Sequence, residues 1–464
     1  MQKKLTLLDG ILLVAGSMIG SGIFIVSADI ARNVGGAGYL LLTWAIAGAM
    51  TIMAAFSYGE LSAMMPKAGG QYVYLRESYN PLVGFLYGWS LFLVIQTGTI
   101  AAVAVAFAKY AGVLFPFFSE KNIVLDLGVL HISRAQLLAI VAIILLTYIN
   151  TRGLKGGSLL QRVFTFAKLI ALFGLILIGF FCFDKSILTH NFSDMWSTSA
   201  RTDPASMSLF AAIGVSMVGT LFSSITWENV TFVSGEMENP TRNVARSMIL
   251  GTILVTSIYL LANVIYLGVL PIDGKATGTS VLERGIQFAE LDRVGTAAVS
   301  VMLGKIGVLV MAGLIMVSTF GCCNGSILSG ARVYQAMAED GLFFKKAVEL
   351  NKNGVPGMSL WIQCFWICLL CLSGTYGDLL DYVIFAVLIF YILTVAGVFI
   401  LRIKNPDSER PYRAVGYPVL PILYIIAAIT IGIILLIYKP LYTWPGLLIV
   451  LSGIPVFYYF SKRK

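Results

Sequence analysis

Long uncharged apolar runs dominate the chain, and short polar segments separate them. Each run has about the 20 residues that an α-helix needs to cross the hydrocarbon core of a bilayer. Membrane β-strands would instead alternate apolar and polar positions over about 10 residues. The pattern therefore predicts an all-α membrane protein with twelve spans, at about residues 7–33, 39–65, 82–115, 135–151, 163–183, 207–226, 244–270, 306–329, 358–373, 380–401, 418–438 and 444–460.

Composition supports this prediction. Of 464 residues, 58% are hydrophobic and only 12% are charged, against roughly a quarter charged in an average soluble domain. Most of the 32 Lys and Arg residues fall in loops on one side if the amino terminus is cytoplasmic, as the positive-inside rule requires. We therefore expect a cell-membrane protein with both termini in the cytoplasm. The net charge of +9 then reflects topology and contact with membrane lipid, and it gives no reason to expect nucleic acid.

Two of the predicted spans have unusual interiors. Residues 16–24 of the first span hold three glycines and two serines, and residues 222–229 of the sixth mix hydroxyls, an acid and an amide. Each Gly costs about 1 kcal/mol relative to Ala in a helix. Such clusters are expected where the backbone must open, although small residues also serve close helix packing.

The two interrupted spans begin two sets of five, at residues 1–183 and 206–404, and residues 405–464 form two further spans and a short tail. An odd number of spans in each set forces the two sets to insert with opposite orientation. Broken helices at matching positions of two inverted repeats indicate a transporter with its site at the midplane of the membrane.

The chemistry at the breaks suits a ligand with two charges. Free N–H groups at the start of a half-helix bind a carboxylate, and freed carbonyls at a helix end bind an ammonium group or a metal ion. An α-amino acid carries a carboxylate and an ammonium group. The predicted donors are the N–H groups of Ser21, Gly22 and Ile23, and the predicted acceptors are the carbonyls of Met18, Phe222, Ser223 and Ile225.

Five motifs in order resemble one transporter family. They lie at residues 16–24, 59–72, 236–243, 320–341 and 404–412. On these residues the chain is similar to the amino acid–polyamine–organocation superfamily, and most similar to its L-amino-acid exchanger branch. The resemblance implies a leucine-transporter fold with alternating access and a substrate bound at the residues named above. It also implies that Phe222 is an aromatic gate; Trp227 is either a second gate or a packing residue.

Lys168 is a charge within the fifth span, which by default indicates function. One alternative is that its side chain snorkels to the cytoplasmic surface. The resemblance implies that its ammonium group replaces the ion of sodium-coupled relatives, bridging the first span and a hydroxyl of the eighth such as Ser318. This predicts transport without sodium.

Glu228 is a second charged residue inside a span. It lines the path, takes up a proton, or pairs structurally, and the sequence leaves these three roles open. The resemblance adds that members exchanging arginine or glutamate also carry an acid here. Gln96, Thr97 and Asn324 are candidate polar residues of the pocket, although hydrogen bonding between helices is the commoner use of such residues.

The six cysteines all lie in apolar runs, so we interpret them as small packing residues. The family's heavy chains attach through a cysteine between the third and fourth spans, and residues 116–134 contain none. We therefore expect no disulfide-linked heavy chain. No cluster of metal ligands is visible in the sequence, and we expect neither a metal nor another cofactor. A catalytic cluster is also missing, which argues against an enzyme.

These observations predict a sodium-independent transporter, an exchanger of neutral L-amino acids. The alternatives are an antiporter of cationic amino acids or amines, a proton-coupled symporter, and a nutrient sensor that binds without transport.

Overall fold

The structure is a computed structural model, and it describes residues 5–66, 69–126, 131–152, 157–373 and 376–461, without the side chains of residues 157–163 and 236. Lys67 and Ala68 of the second motif lie outside these residues, as do the basic termini at residues 1–4 and 462–464.

Helices form almost all of the regular structure in these ranges. The α-helices are α1 Leu7–Met18, α2 Ser27–Val34, α3 Ala37–Met64, α4 Gln71–Ser78, α5 Pro81–Ser90, α6 Gln96–Leu114, α7 Arg134–Thr151, α8 Gly157–Phe181, α9 Lys185–Phe192, α10 Leu209–Ser224, α11 Pro240–Val269, α12 Val281–Arg284, α13 Val294–Glu339, α14 Gly357–Ser373, α15 Tyr376–Lys404, α16 Val419–Tyr438 and α17 Pro440–Ser461.

Ten helical segments of the described chain are long and apolar enough to cross a membrane, and α1 and α14 are shorter apolar helices. The all-α membrane class predicted from the sequence is confirmed. One departure is an antiparallel hairpin of β1, Ile123–Asp126, and β2, His131–Ser133. It lies in the connection between α6 and α7.

Local sequence explains where several helices begin. The side chain of Asn80 accepts a hydrogen bond from the Val83 amide at 3.0 Å, and Pro81 follows at the first helical position of α5. Ser133 and Gln136 form a reciprocal capping box at the start of α7. Both arrangements satisfy amides that have no partner within a helix.

Two helices differ from the runs read in the sequence. The predicted eighth span starts near residue 306, whereas α13 starts at Val294 and has a break at Gly304, where φ is 63°. The break separates a helical segment at residues 294–303 from the longer apolar segment that follows it. The predicted third span is divided by a π-turn at Leu91–Ile95 between α5 and α6. Trp366 donates to the Leu93 carbonyl there at 2.7 Å.

Helix packing places the two interrupted segments side by side. α11 packs against α1 and α3, and α10 packs against α2 and α3. A second group surrounds α13, which packs against α6, α7 and α8. α16 and α17 are the least buried of the spanning helices, and side chains such as Ile426 and Leu448 point outward, as expected for contact with lipid.

The ends of the helices define two faces of the molecule. We call the face at which α1 begins and α3 ends the amino-terminal face, and the other the opposite face. Ion pairs connect several elements at the amino-terminal face. Glu60 of α3, whose side chain is 1% exposed, binds Arg402 of α15 through two hydrogen bonds of 2.9 and 2.7 Å. Asp340 at the end of α13 pairs with Arg76 of α4.

Candidate substrate site at two interrupted helices

The first interruption lies between α1 and α2. The chain leaves the helix at Ile19, where ψ is 89°, and resumes as a 3-10 turn at Gly22–Phe24. The backbone N–H groups of Ser21, Gly22 and Ile23 donate no hydrogen bond to any other described residue. Three adjacent free donors at the start of a helical turn form a site suited to a carboxylate.

The freed carbonyls at the end of α1 are all bonded. Each of the last three accepts a hydrogen bond from a different part of the fold. The donors are Lys168 Nζ for Gly16, the Thr226 hydroxyl at 2.9 Å for Ser17 and the Tyr259 hydroxyl at 2.9 Å for Met18.

The second interruption follows α10. Ile225 is extended, Thr226 adopts the left-handed region with φ at 69°, and a 3-10 segment, Trp227–Glu236, follows. This conformation is rare for a β-branched residue and costs on the order of 1–3 kcal/mol. The bond from Thr226 to the Ser17 carbonyl helps to hold it.

The two interruptions touch each other. A Cβ atom on Gly22 would lie 2.0 Å from Ser223 Oγ, so only glycine permits this approach. The Tyr259 hydroxyl lies 2.9 Å from the Met18 carbonyl and 3.0 Å from the Ser223 carbonyl. One hydroxyl of α11 thus links both broken helices at the predicted acceptors for an ammonium group.

Aromatic rings cover this region on the side of the opposite face. Phe222 packs edge-on against Tyr376, with ring centroids 6.0 Å apart. The Tyr376 hydroxyl lies 3.0 Å from Ser21 Oγ. Phe222 therefore contacts the first break through Tyr376, a residue that the sequence analysis missed.

A cavity of about 800 Å³ lies on the side of the opposite face. We call it the vestibule. It is lined by Arg32 of α2, Lys109 of α6, Gly219 of α10, and Tyr376 and Asp381 of α15, among others. Tyr376 thus belongs both to the vestibule and to the cover of Ser21.

Trp227 lies in a separate aromatic cluster. Its ring packs edge-on against Tyr58 of α3 at 4.7 Å and lies 5.7 Å from Tyr391 of α15. Glu228 is buried, and its Oε2 atom has no hydrogen-bond partner among the residues described. The Tyr391 hydroxyl lies near the Glu228 carboxyl group in this cluster.

Lys168 is buried within α8, with 1% of its surface exposed. Its ammonium group binds the Gly16 carbonyl at the first break. Ser318 of α13 is also buried, but its hydroxyl makes no hydrogen bond in the described chain. The expected contact with the first span is formed, and the expected contact with Ser318 is not.

The three candidate polar residues of the pocket form hydrogen bonds within the surrounding helices. Gln96 donates to the Ser326 carbonyl of α13 at 2.8 Å. Thr97 donates to a carbonyl of the π-turn, and Asn324 accepts from Asn150 of α7 at 2.9 Å. All three therefore join neighbouring turns or helices.

Sequence reasoning missed Tyr259, Tyr376 and Thr226. All three carry a hydroxyl in an apolar context, and freed carbonyls require donors. The need for hydrogen-bond donors at the freed carbonyls was the available signal in the sequence. It does not show which hydroxyl binds which carbonyl.

Metal-binding potential is also limited. No group of three His, Cys, Asp or Glu side chains that could hold a metal ion occurs in the described ranges. All six cysteines are free.

Comparison with known proteins decides the family. The family model for amino acid permeases matches residues 5–457. The chain belongs to the amino acid permease family. The predicted resemblance is confirmed, and the protein is a multi-pass membrane transporter of amino acids and not an enzyme.

Individual relatives span nearly the whole chain. The serine/threonine exchanger SteT of Bacillus subtilis (strain 168) is 29% identical over 100% of this chain and 98% of its own length. The human b(0,+)-type amino acid transporter 1 is 28% identical over 100% of this chain and 89% of its own. The human cystine/glutamate transporter is 27% identical over 99% and 85%.

Proposed function

We propose that this permease exchanges neutral L-amino acids across the cell membrane without sodium, by alternating access. The observation that carries the proposal is the contact between the two breaks. Free amides at Ser21, Gly22 and Ile23 lie in the same region as the carbonyls of Met18 and Ser223, which Tyr259 links. That combination matches the two charged groups of an α-amino acid.

We propose twelve spans arranged as two inverted repeats of five, followed by α16 and α17. The packing supports this arrangement, because helices at matching positions of the two repeats contact each other. These pairs are α3 with α11, α6 with α13, and α7 with α14. The positive-inside rule favours a cytoplasmic amino-terminal face with both termini inside, so the vestibule is extracellular.

The substrate carboxylate accepts hydrogen bonds from the amides of the first break. The ammonium group binds the carbonyls of Met18, Phe222, Ser223 and Ile225. A carbonyl oxygen has two lone pairs, so a bond from Tyr259 leaves room for the ammonium group. Phe222 and Tyr376 form the outer gate, and the cluster around Trp227 closes the path on the cytoplasmic side.

Independence from sodium follows from Lys168. Its ammonium group is a fixed cation at the Gly16 carbonyl, and a freed carbonyl at a helix end is the ligand type that a sodium ion would use. A bound sodium ion at the same oxygen would meet like charge. Ser318 is retained as a candidate ligand of Lys168 in another state of the transport cycle.

The second candidate function is an antiporter of cationic amino acids or amines, or a proton-coupled symporter. The observation that favours it is the unpartnered Oε2 atom of buried Glu228. A buried carboxylate with one unsatisfied oxygen can bind a cation or a proton there. The central site as described binds a carboxylate, which argues against amines that lack one, and the similarity to the serine/threonine exchanger SteT favours neutral amino acids over cationic ones.

We further propose that the permease works without a disulfide-linked heavy chain, because residues 116–134 contain no cysteine. A non-transporting nutrient sensor is a remote third possibility, and measurable turnover would exclude it.

Uptake into proteoliposomes tests the substrate class. Purified protein would be assayed with labelled leucine, alanine, serine and arginine, with each of them also preloaded inside. We expect exchange among leucine, alanine and serine. Transport of arginine alone would replace the proposal with the cationic antiporter.

A further inference from the structure

Lys109 is a buried lysine in the wall of the vestibule. It lies near the outer end of α6, and only 8% of its surface is exposed. It lines the same cavity of about 800 Å³ as Tyr376, the outer cover of Ser21. A ligand in the vestibule therefore has access both to Lys109 and to the cover of the central site.

The ammonium group of Lys109 lacks an adequate partner. Its nearest carboxylate is Glu120, at 3.9 Å, which exceeds hydrogen-bond distance, and no other described residue accepts a hydrogen bond from it. An ammonium group has three donors and no acceptor, and a buried charge is costly unless it is paired and hydrogen-bonded. Lys109 is therefore available to an anionic group from the cavity.

The other basic groups of the vestibule are better satisfied. Arg32 donates to the Gln287 carbonyl at 2.6 Å and to Asp292 at 2.7 Å. Lys439 pairs with Asp381 at 3.3 Å. This contrast singles out Lys109 as the vestibule cation with unused binding capacity.

The size and charges of the vestibule indicate the chemical class of its ligand. Its volume lies in the range of small-molecule pockets, about 300–1,000 Å³. The cavity is lined by five carboxylates, those of Asp29, Glu120, Asp292, Asp378 and Asp381, against three Lys and Arg side chains. This excess of negative charge favours an ammonium group. A small molecule with one carboxylate and one ammonium group satisfies both features.

We propose that Lys109 forms an outer subsite that holds the carboxylate of an α-amino acid before Tyr376 admits the substrate to the central site. The inference rests on the proposed transport of amino acids and extends it by a second binding step. This step acts on the extracellular side alone, because Lys109 lies outside the gate.

The test compares the two sides of the membrane. Lys109→Met would be reconstituted, and KM for a neutral amino acid would be measured separately for external and internal substrate. We expect external KM to rise about tenfold, the loss of one hydrogen bond to a charged group, and internal KM to stay within about twofold. Lys121→Met is the matched control, because Lys121 is exposed and pairs with Glu290 away from the vestibule.

Two further variants keep the test decisive if Lys109→Met inserts poorly. Lys109→Arg retains the cation, so its external KM should stay near the wild-type value. Glu120→Gln removes the competing carboxylate, so its external KM should fall below the wild-type value. Disruption of the fold cannot produce this improvement.

Equal rises of KM on both sides, or unchanged external KM in Lys109→Met, would overturn the outer subsite. Unchanged or raised external KM in Glu120→Gln would also count against it. Failure of the proposed function is distinguishable, because wild-type protein would then transport none of the amino acids tested.

Discussion

Lys168 and Glu228 are two charges buried beside the same pair of broken helices, yet their surroundings differ. The ammonium group of Lys168 binds the Gly16 carbonyl, as part of a set in which every freed carbonyl of residues 16–18 has a donor. One oxygen of Glu228 has no partner among the described residues. A fully bonded charge fixes the backbone that builds a site, whereas a carboxylate with an unsatisfied oxygen can still bind a ligand or a proton. Breaking the first set should therefore impair all transport, and changing Glu228 should alter selectivity.

The largest effect is expected from Lys168→Met. Removing the ammonium group leaves the buried Gly16 carbonyl without its donor, a loss of about 1–3 kcal/mol. We expect exchange of every substrate to slow by about 10- to 100-fold. The measurement is the initial rate of exchange in proteoliposomes. Lys185→Met, at the start of exposed α9, is the control, and a wild-type rate in Lys168→Met would show that the bond is dispensable.

Tyr259→Phe should have the next largest effect. It removes the hydroxyl that links the Met18 and Ser223 carbonyls. We expect KM to rise about tenfold on both sides of the membrane, because the acceptors for the ammonium group lose their alignment. Tyr266→Phe is a matched control on the same helix, since the buried Tyr266 hydroxyl has no partner in the described chain. Similar KM changes in both variants would mean that bulk packing is responsible.

Glu228→Gln tests the second of the two buried charges. It keeps the shape of the side chain and removes its charge. We expect exchange of neutral amino acids to stay within about threefold of wild type, because Gln keeps a side-chain oxygen that can accept hydrogen bonds in the same place. Any arginine transport should fall by at least about tenfold. A collapse of leucine exchange, with protein still inserted and monodisperse, would place Glu228 in the shared mechanism.

The smallest effect is expected at the outer gate. Tyr376→Phe loses the 3.0 Å contact with Ser21 and keeps the ring on Phe222, at a cost of about 0.5–1.5 kcal/mol. We expect the release of external substrate to speed up by about two- to tenfold. Ser21→Ala should have the same effect, and the double variant should add little more. Fully additive effects would mean that the two residues act independently.

Much of the fold could be predicted from the sequence, because lipid imposes a simple pattern. Apolar runs predict the helices. The Gly and Ser residues between 16 and 24 predict the break in the first helix, because they weaken the helix locally. The positive φ of Gly304 and the π-turn at Leu91–Ile95 were not predictable in this way. The π-turn has a tertiary contact, the hydrogen bond from Trp366 to the Leu93 carbonyl. A single glycine within a helical pattern is often tolerated, so Gly304 alone did not mark a break.

The same distinction between local features and tertiary contacts applies to the candidate site. The free amides of Ser21, Gly22 and Ile23 follow from the local break, so sequence reasoning reached them. The partners of the freed carbonyls do not, because Tyr259 and Thr226 lie more than 200 residues from α1 along the chain. Of the two contacts expected for Lys168, the one with the first span is formed and the one with Ser318 is not. Which hydroxyls approach an ammonium group depends on tertiary packing, which the sequence does not show.

The most direct test of the central claim is uptake of a labelled neutral amino acid in sodium-free buffer, with and without unlabelled amino acid inside the proteoliposomes. We predict uptake that is stimulated several-fold by internal amino acid and does not change when sodium is added. Uptake that requires sodium, or that internal amino acid does not stimulate, would contradict this prediction.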